Sequence, residues 1–246
     1  MQKSHKLALV TGASRGIGKA IAKRLAGEGY NLVITCSKDS DNLIETAREI
    51  ENDYSVKCLA KVVDAGTYEQ VDALFSDSIF EENTLDLLVN NAGISYVGLL
   101  HEMTPEEWHR IMSVNLDSVF FTCRKAVPMM LSSHAGKIIN ISSVWGNVGA
   151  SMEVAYSTTK GAINTFSKAL AKELAPSGIS VNAIACGLID TAMNACFTEE
   201  DLAAVIEEIP ADRIGKPEEV ADLVARIAGA PDYLTGQVIT IDGGWV

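Results

Sequence analysis

An α/β fold, doubly wound about a seven-stranded parallel sheet, is predicted for this chain by three observations. Short apolar runs with strand character alternate with helix-patterned segments along its length, as a parallel sheet with crossover helices demands. The first of these runs feeds a glycine-rich turn and then a helix. The chain has 246 residues, enough for one large domain with an ample core, and no linker, repeat or low-complexity tract divides it. Residues 1–246 are therefore read as a single domain.

The elements follow in order. Leu7–Val10 reads as the first strand. Behind it come Thr11-Gly12-Ala13-Ser14-Arg15-Gly16-Ile17-Gly18, then residues 19–26 with apolar side chains at helical spacing. Asn31–Cys36 reads as the second strand and residues 56–63 as the third. Thr67-Tyr68-Glu69-Gln70 has the form of a capping box. Leu85–Asn90 is the fourth strand. Thr104-Pro105-Glu106-Glu107 is a second capping box, with proline at the first helical position. Residues 115–131 and 154–175 read as long helices, residues 137–141 and 180–185 as strands five and six, and Val238–Ile241 as the seventh.

Composition narrows the function classes. The net charge of −12 argues against nonspecific nucleic-acid binding. No apolar run reaches the ~18 residues that would span a membrane, and Met1 to Lys6 are not followed by the apolar core of a signal peptide. Cys36, Cys58, Cys123, Cys186 and Cys196 show no C-x-x-C pair, which suits reduced thiols in a cytoplasm. The four histidines do not cluster with cysteines at metal-ligand spacing, so no metal site is expected.

Two motifs carry chemistry. Strand, glycine turn and helix are the context in which a backbone approaches a pyrophosphate and the N–H groups of a helix start face the anion. The spacing here is G-x-x-x-G-x-G. Tyr156 and Lys160 stand four residues apart in a helix and so share a face, with Ser143 thirteen residues before the tyrosine. An ammonium beside a phenol is expected to lower a pKa that starts near ~10, and a phenol tuned that way exchanges a proton with a substrate oxygen near neutral pH.

Together these residues resemble the short-chain dehydrogenase/reductase family, over nearly the whole chain. Gly12, Gly16 and Gly18 match its cofactor loop. Asn90-Asn91-Ala92-Gly93 matches its N-N-A-G turn, and Asn115, Ser143, Tyr156 and Lys160 match its catalytic tetrad in order and spacing. Thr11 to Gly18 and Leu88 to Ile94 are most similar to the 3-oxoacyl-acyl-carrier-protein reductases. The resemblance implies a Rossmann-type domain and NADPH/NADP as cofactor. The implied contacts come from Gly12, Ser14, Arg15, Gly16, Ile17 and Gly18 in the first turn and from Ser37 and Lys38 after strand two. Asp64 and Ala65 after strand three, Asn91, Ala92 and Gly93 after strand four, Tyr156, Lys160, and Ile189 and Thr191 after strand six complete them. Asp64 is expected to bond the adenine amino group, or to cap the turn that follows. Asn115 is expected at a local helix distortion, its side chain holding a water beside the lysine.

The residues themselves favour NADPH over NADH. Arg15 is a cation at a helix amino terminus, a position that makes sense beside a bound anion such as a 2′-phosphate. Strand two ends in Cys36-Ser37-Lys38, without the carboxylate that binds a ribose 2′-hydroxyl. Asp39 and Asp41 come slightly late for that role. Cys186-Gly187 stands where the family has Pro-Gly, which could loosen the entry to the loop carrying Ile189 and Thr191.

The expected substrate walls are residues 94–96, 144–148, 152–153 and 187–197. They fit several alcohols; the resemblance puts a 3-oxoacyl thioester first, with another alcohol such as a steroid, sugar or polyol as the alternative. A catalytically silent dinucleotide sensor is a third reading. Acyl carrier protein is acidic and would dock on cationic ground. Residues 131–136 carry no lysine or arginine, which leaves Arg124, Lys125, Lys137, Lys168 and Lys172. Apolar side chains on more than one face of the helices bearing Phe120, Phe121, Ile163 and Phe166 fit burial within one domain or a subunit interface. The resemblance implies a homotetramer.

Overall fold

The computed structural model describes residues 6–194 and 197–246, so Cys196 lies outside the described residues. In chain order the elements are β1 (Leu7–Val10), α1 (Gly16–Gly27), β2 (Asn31–Cys36), α2 (Ser40–Asp53), β3 (Cys58–Val62), α3 (Tyr68–Phe75), α4 (Ser78–Glu82) and β4 (Leu85–Asn90). Then follow α5 (Pro105–Met112), α6 (Ser118–Ser133), β5 (Gly136–Ser143), α7 (Trp145–Val148), α8 (Val154–Leu174), β6 (Ile179–Cys186), α9 (Glu199–Glu208), α10 (Pro217–Ala228) and β7 (Val238–Ile241). All seven strands form one sheet in the order β3-β2-β1-β4-β5-β6-β7, and every pairing is parallel.

Both faces of this sheet are covered, which is why its strands read as continuous apolar runs rather than alternating ones. Side chains of a strand alternate between faces. Ala8 and Val10 of β1 join a core with Ile21 and Leu25 of α1, Ile50 of α2 and Val224 of α10. Leu7 and Leu9 join the opposite core, with Val71 of α3, Val119 and Met130 of α6 and Ile163 of α8. The strand order reverses between β1 and β4. The carboxyl ends of those two strands therefore diverge around a crevice, the usual binding place in a doubly wound sheet.

A buried polar chain crosses the second core and fixes the two long helices on the sheet. Asn90 of β4 donates from Nδ2 to Asn140 Oδ1 of β5 at 2.9 Å and accepts from Thr122 Oγ1 of α6 at 2.7 Å. Asn140 in turn donates to Ser167 Oγ of α8 at 2.8 Å. Each of these groups is paired where water cannot reach, so the set orients rather than destabilises.

Several boundaries differ from the sequence reading. β3 covers 58–62 rather than 56–63, whereas β5 and β6 run longer than expected, pairing with each other through eight positions. The box at Thr104 closes, but the one at Thr67 does not: Gln70 Oε1 accepts from the Asp64 amide at 2.8 Å instead of reaching Thr67. The helix expected over 115–131 begins with a π-helical turn, Ser113–Asp117, in which the Ser118 amide runs back to the Ser113 carbonyl. Cys36, Cys58, Cys123 and Cys186 are buried free thiols. Among the described residues no helix is long and apolar enough to cross a membrane.

Replacing Asn90 with Ala leaves Asn140 Oδ1 without its donor and takes from Thr122 Oγ1 its link to the sheet. Urea unfolding of Asn90→Ala is expected to show a loss of about 1–3 kcal/mol. Unchanged stability would mean that the chain of amides is not holding the helices.

Candidate active site

A cleft of about 1210 Å³ opens above the carboxyl ends of β1, β4 and β5. It is larger than a drug-sized site, with room for a dinucleotide and a substrate together. It gathers Gly12, Ser14, Arg15, Gly16, Ile17 and Gly18 with Ser37, Lys38, Asp64 and Ala65. Asn91, Ala92, Gly93, Ser143, Tyr156, Lys160, Ile189 and Thr191 line it as well, whereas Asn115 does not.

The nucleotide end begins at the turn after β1. Gly12 has φ +67°, and a Cβ there would come within 2.9 Å of Ala92 Cα. A Cβ on Gly18 would collide with the carbonyl oxygen of Gly12. Only glycine permits this fold of strand onto helix. Thr11 Oγ1 accepts from the amides of Asn91 and Ala92, each at 3.0 Å. Asn91 Nδ2 returns bonds to the carbonyls of Thr11 and Gly12. The Asn91 side chain thus holds the turn rather than facing the cleft with free donors.

The start of α1 fits a phosphate. Arg15 is its N-cap residue but supplies no side-chain cap, and no acid stands in the first turn. The orphan N–H groups of that turn, with their partial positive charge, are left to an anion. Arg15, Ser37 and Lys38 are exposed on the cleft. Asp39 also lines it, but both its oxygens accept from Asn42 Nδ2, at 2.9 and 3.0 Å, within its own helix start. Asp64 caps its turn by accepting from the Gly66 amide at 3.0 Å, and its other oxygen pairs with Arg110 at 2.9 Å. Arg110, on α5, also lines the cleft and was not singled out from sequence.

At the inner end, Tyr156 and Lys160 project from one face of α8. Lys160 is buried, with Nζ 5.5 Å from the Tyr156 ring centroid and donating to the Ile141 carbonyl at 2.9 Å. Ser143 Oγ accepts from the Trp145 amide at 3.2 Å. The expected drop in the tyrosine pKa is not what this geometry gives. Burial pushes the Tyr156 phenol well up, and the hydrogen bond with Ser143 pulls the other way without offsetting it. The ammonium lies over the ring and is itself tied to a carbonyl. Burial brings Lys160 down to about 8.

Asn115 is buried in the π-helical turn behind Gly93. Its Oδ1 accepts from the Ile94 amide at 2.8 Å. Its Nδ2 donates to the Ile94 carbonyl at 2.9 Å and to Thr159 Oγ1 at 3.1 Å. Both amide protons are thus committed to the protein. The side chain acts as a clamp between Ile94 and Thr159.

The loop after β6 is not loosened by Cys186. The Gly187 amide donates to the Ile241 carbonyl, the Gly215 amide to Leu188 and the Asp190 amide to Gly215. Burial pushes the Cys186 thiol up to about 12, so it packs as a neutral group. Ile94, Ser95, Val144, Trp145, Glu153, Met193 and Phe197 line the substrate end, but Tyr96, Gly146, Asn147, Val148 and Met152 do not. Glu208 and Trp245 do line it, brought from α9 and from beyond β7.

Comparison with known proteins agrees with this geometry. Residues 6–202 match the family model for short chain dehydrogenases. The chain is 40% identical over 240 residues to a 3-oxoacyl-[acyl-carrier-protein] reductase of Aquifex aeolicus, covering 97% of this chain and 96% of that one. It is 37% identical to an uncharacterized oxidoreductase of Bacillus subtilis, YmfI, covering 98% and 99%. The crystal structure of a 3-oxoacyl-[acyl-carrier protein] reductase from Brucella melitensis superposes with a TM-score of 0.90 at 33% identity, over 98% of this chain and 91% of that one.

The buried Lys160 makes a stability prediction. Its folded pKa lies below its unfolded value, so between about pH 8 and 10.5 the unfolded chain binds more protons and stability rises with pH. In Lys160→Met this contribution is gone. The wild type should gain up to about 3 kcal/mol on the variant between pH 7 and 10.5, measured by chemical denaturation. A pH-independent difference would show that Lys160 does not titrate in that window.

Proposed function

The chain belongs to the short chain dehydrogenase family, and from that premise we propose that it uses NADPH to reduce the ketone of a 3-oxoacyl thioester to a secondary alcohol. One observation carries the reading: Tyr156, Ser143 and Lys160 converge in a cleft whose other end is a glycine turn prepared for an anion. NADPH, when bound, supplies the hydride. Arg15, Ser37 and Lys38 favour a 2′-phosphate, since the acids at that end of the cleft are already engaged, Asp39 by Asn42 and Asp64 by the Gly66 amide and Arg110.

The chain's own groups handle the proton. Burial keeps the Tyr156 phenol protonated, which suits a donor in the direction of reduction. Ser143 Oγ accepts from the Trp145 amide and is hydrogen-bonded to Tyr156, so its hydrogen turns to the carbonyl oxygen of the substrate once that oxygen stands between the two. Lys160 spends one proton on Ile141 and keeps the others for hydroxyls of the cofactor ribose. Asn115 holds Ile94 and Thr159, and so positions this group without touching the reactants.

The thioester assignment rests on similarity to 3-oxoacyl-[acyl-carrier-protein] reductases. Acyl carrier protein as partner has thinner support. Lys125 pairs with Asp72, Lys137 pairs with Asp232, and Arg124 lies over the Tyr68 ring. That leaves Lys168 and Lys172 outside any ion pair among the described residues. Reduction of a steroid, sugar or polyol-derived ketone is the alternative. A homotetramer built on α6 and α8 is proposed from the exposed Phe120 and the half-buried Phe121 and Phe166, and a cytoplasmic location from the reduced thiols.

Tyr156→Phe keeps the ring and removes the proton. Turnover should fall by about 10²–10⁴-fold while NADPH titration is retained; near-wild-type turnover would end the mechanism. In the same titrations wild type should bind NADPH more tightly than NADH, and Arg15→Ala should erode that preference. Tighter NADH binding would reverse the cofactor reading. A real carrier-docking patch predicts that reduction of the carrier-linked substrate slows with salt, whereas a small acetoacetyl thioester shows little dependence. If a free ketone is reduced far better than either thioester, the alternative substrate class replaces the first.

A further inference from the structure

The substrate end carries a feature that proton transfer does not use. Trp145, two residues after Ser143, meets Trp245 edge to face, with centroids 4.8 Å apart and planes at 61°. Trp245 Nε1 donates to Glu208 Oε2 at 3.3 Å. The Trp145 indole lies beside the carboxylate of Glu153, the half-buried N-cap residue of α8, three positions before Tyr156. All four side chains line the cleft. The cations of its described lining lie elsewhere. Arg15, Lys38 and Arg110 are at the nucleotide end. Lys160 reaches toward Gly93 and Ile141, its Nζ 3.7 Å from where a Cβ on Gly93 would stand.

We propose that Glu153 and Glu208, each set against one indole of the Trp145–Trp245 pair, form a negative wall that selects against anionic ketones. The wall admits neutral or cationic ketones and turns away 3-oxo acids that carry a free carboxylate or phosphate near the reacting carbon. This deepens the ketone-reduction reading and rests on it. A thioester places a neutral group where the free acid would place its charge. Like charges in a partly desolvated cleft repel more strongly than in water, and discrimination of this kind comes from the repulsive element as much as from attractive contacts. The half-buried Glu153 carries most of the effect. Glu208 is exposed and more readily screened.

A charge series of similar 3-oxo compounds tests this: ethyl acetoacetate (neutral), acetoacetate (anionic) and acetoacetylcholine (cationic). kcat/KM is measured with NADPH and with NADH, and binding is followed separately by quenching of tryptophan fluorescence. Wild type should prefer the neutral and cationic compounds to acetoacetate by at least about tenfold. Glu153→Gln keeps an oxygen acceptor for the indole and should narrow that ratio about tenfold. Glu208→Gln should narrow it less, and Glu153→Asp should preserve the ranking. Equal use of acetoacetate and its ester by wild type, or an unchanged ratio in Glu153→Gln, overturns the proposal. If no compound is reduced with either cofactor, yet quenching still ranks them by charge and Glu153→Gln flattens the ranking, the wall stands and the ketone-reduction reading falls.

Discussion

One buried carboxamide joins the two halves of the site. Asn115 holds both the amide and the carbonyl of Ile94, at the end of the turn that follows β4, and also holds Thr159, which sits between Tyr156 and Lys160 on α8. The residue is fully buried, so each of these bonds forms where an unpaired group would be costly. The π-helical turn at 113–117 is the backbone's accommodation to this demand. Such turns recur at functional sites because they re-aim one side chain without ending the helix. Without the clamp, the turn against the crevice and the helix carrying Tyr156 and Lys160 would each be placed only by its own packing.

The electrostatics follow from the same burial. The phenol is pushed up and the ammonium down, so on the chain's own groups this is a proton-loaded site. The cost falls on the fold, since a lysine enclosed with a carbonyl partner and, among the described residues, no paired carboxylate is a destabilising element. Stability comes instead from two apolar cores on the faces of the sheet and from the paired Asn90–Asn140 chain that crosses the second of them. The cleft is also divided by charge, with cations around the glycine turn and carboxylates beside the tryptophans.

Much of this was legible in the sequence because the informative signals are local. Strand, glycine turn and helix are contiguous, and the i, i+4 spacing alone puts Tyr156 and Lys160 on one face. β2, β4 and β7 are bounded as read, each being an apolar run with abrupt ends. What was not legible depends on tertiary neighbours. Spacing places an ammonium near a phenol, but it does not say how deeply both are buried, and burial sets the direction of the phenol's shift. The Thr67 box failed because Gln70 found a nearer donor in the Asp64 amide. The partners of Asn115 lie 21 and 44 residues away. Trp245 and Glu208 reach the cleft from distant segments, and no local pattern marks either one.

The two halves of the site are coupled through Asn115, and amide hydrogen exchange in Asn115→Ala reads that coupling most directly. Exchange should quicken at the Ile94 amide and, in the same variant, in the first turns of α8 around Thr159, while core amides of β1 and β4 remain protected. Quickening at both places would show that one side chain ties the turn to the helix. If exchange at Ile94 and around Thr159 stays at wild-type rates, or quickens at only one of them, the two halves are held independently and the clamp is not the constraint on which the site is built.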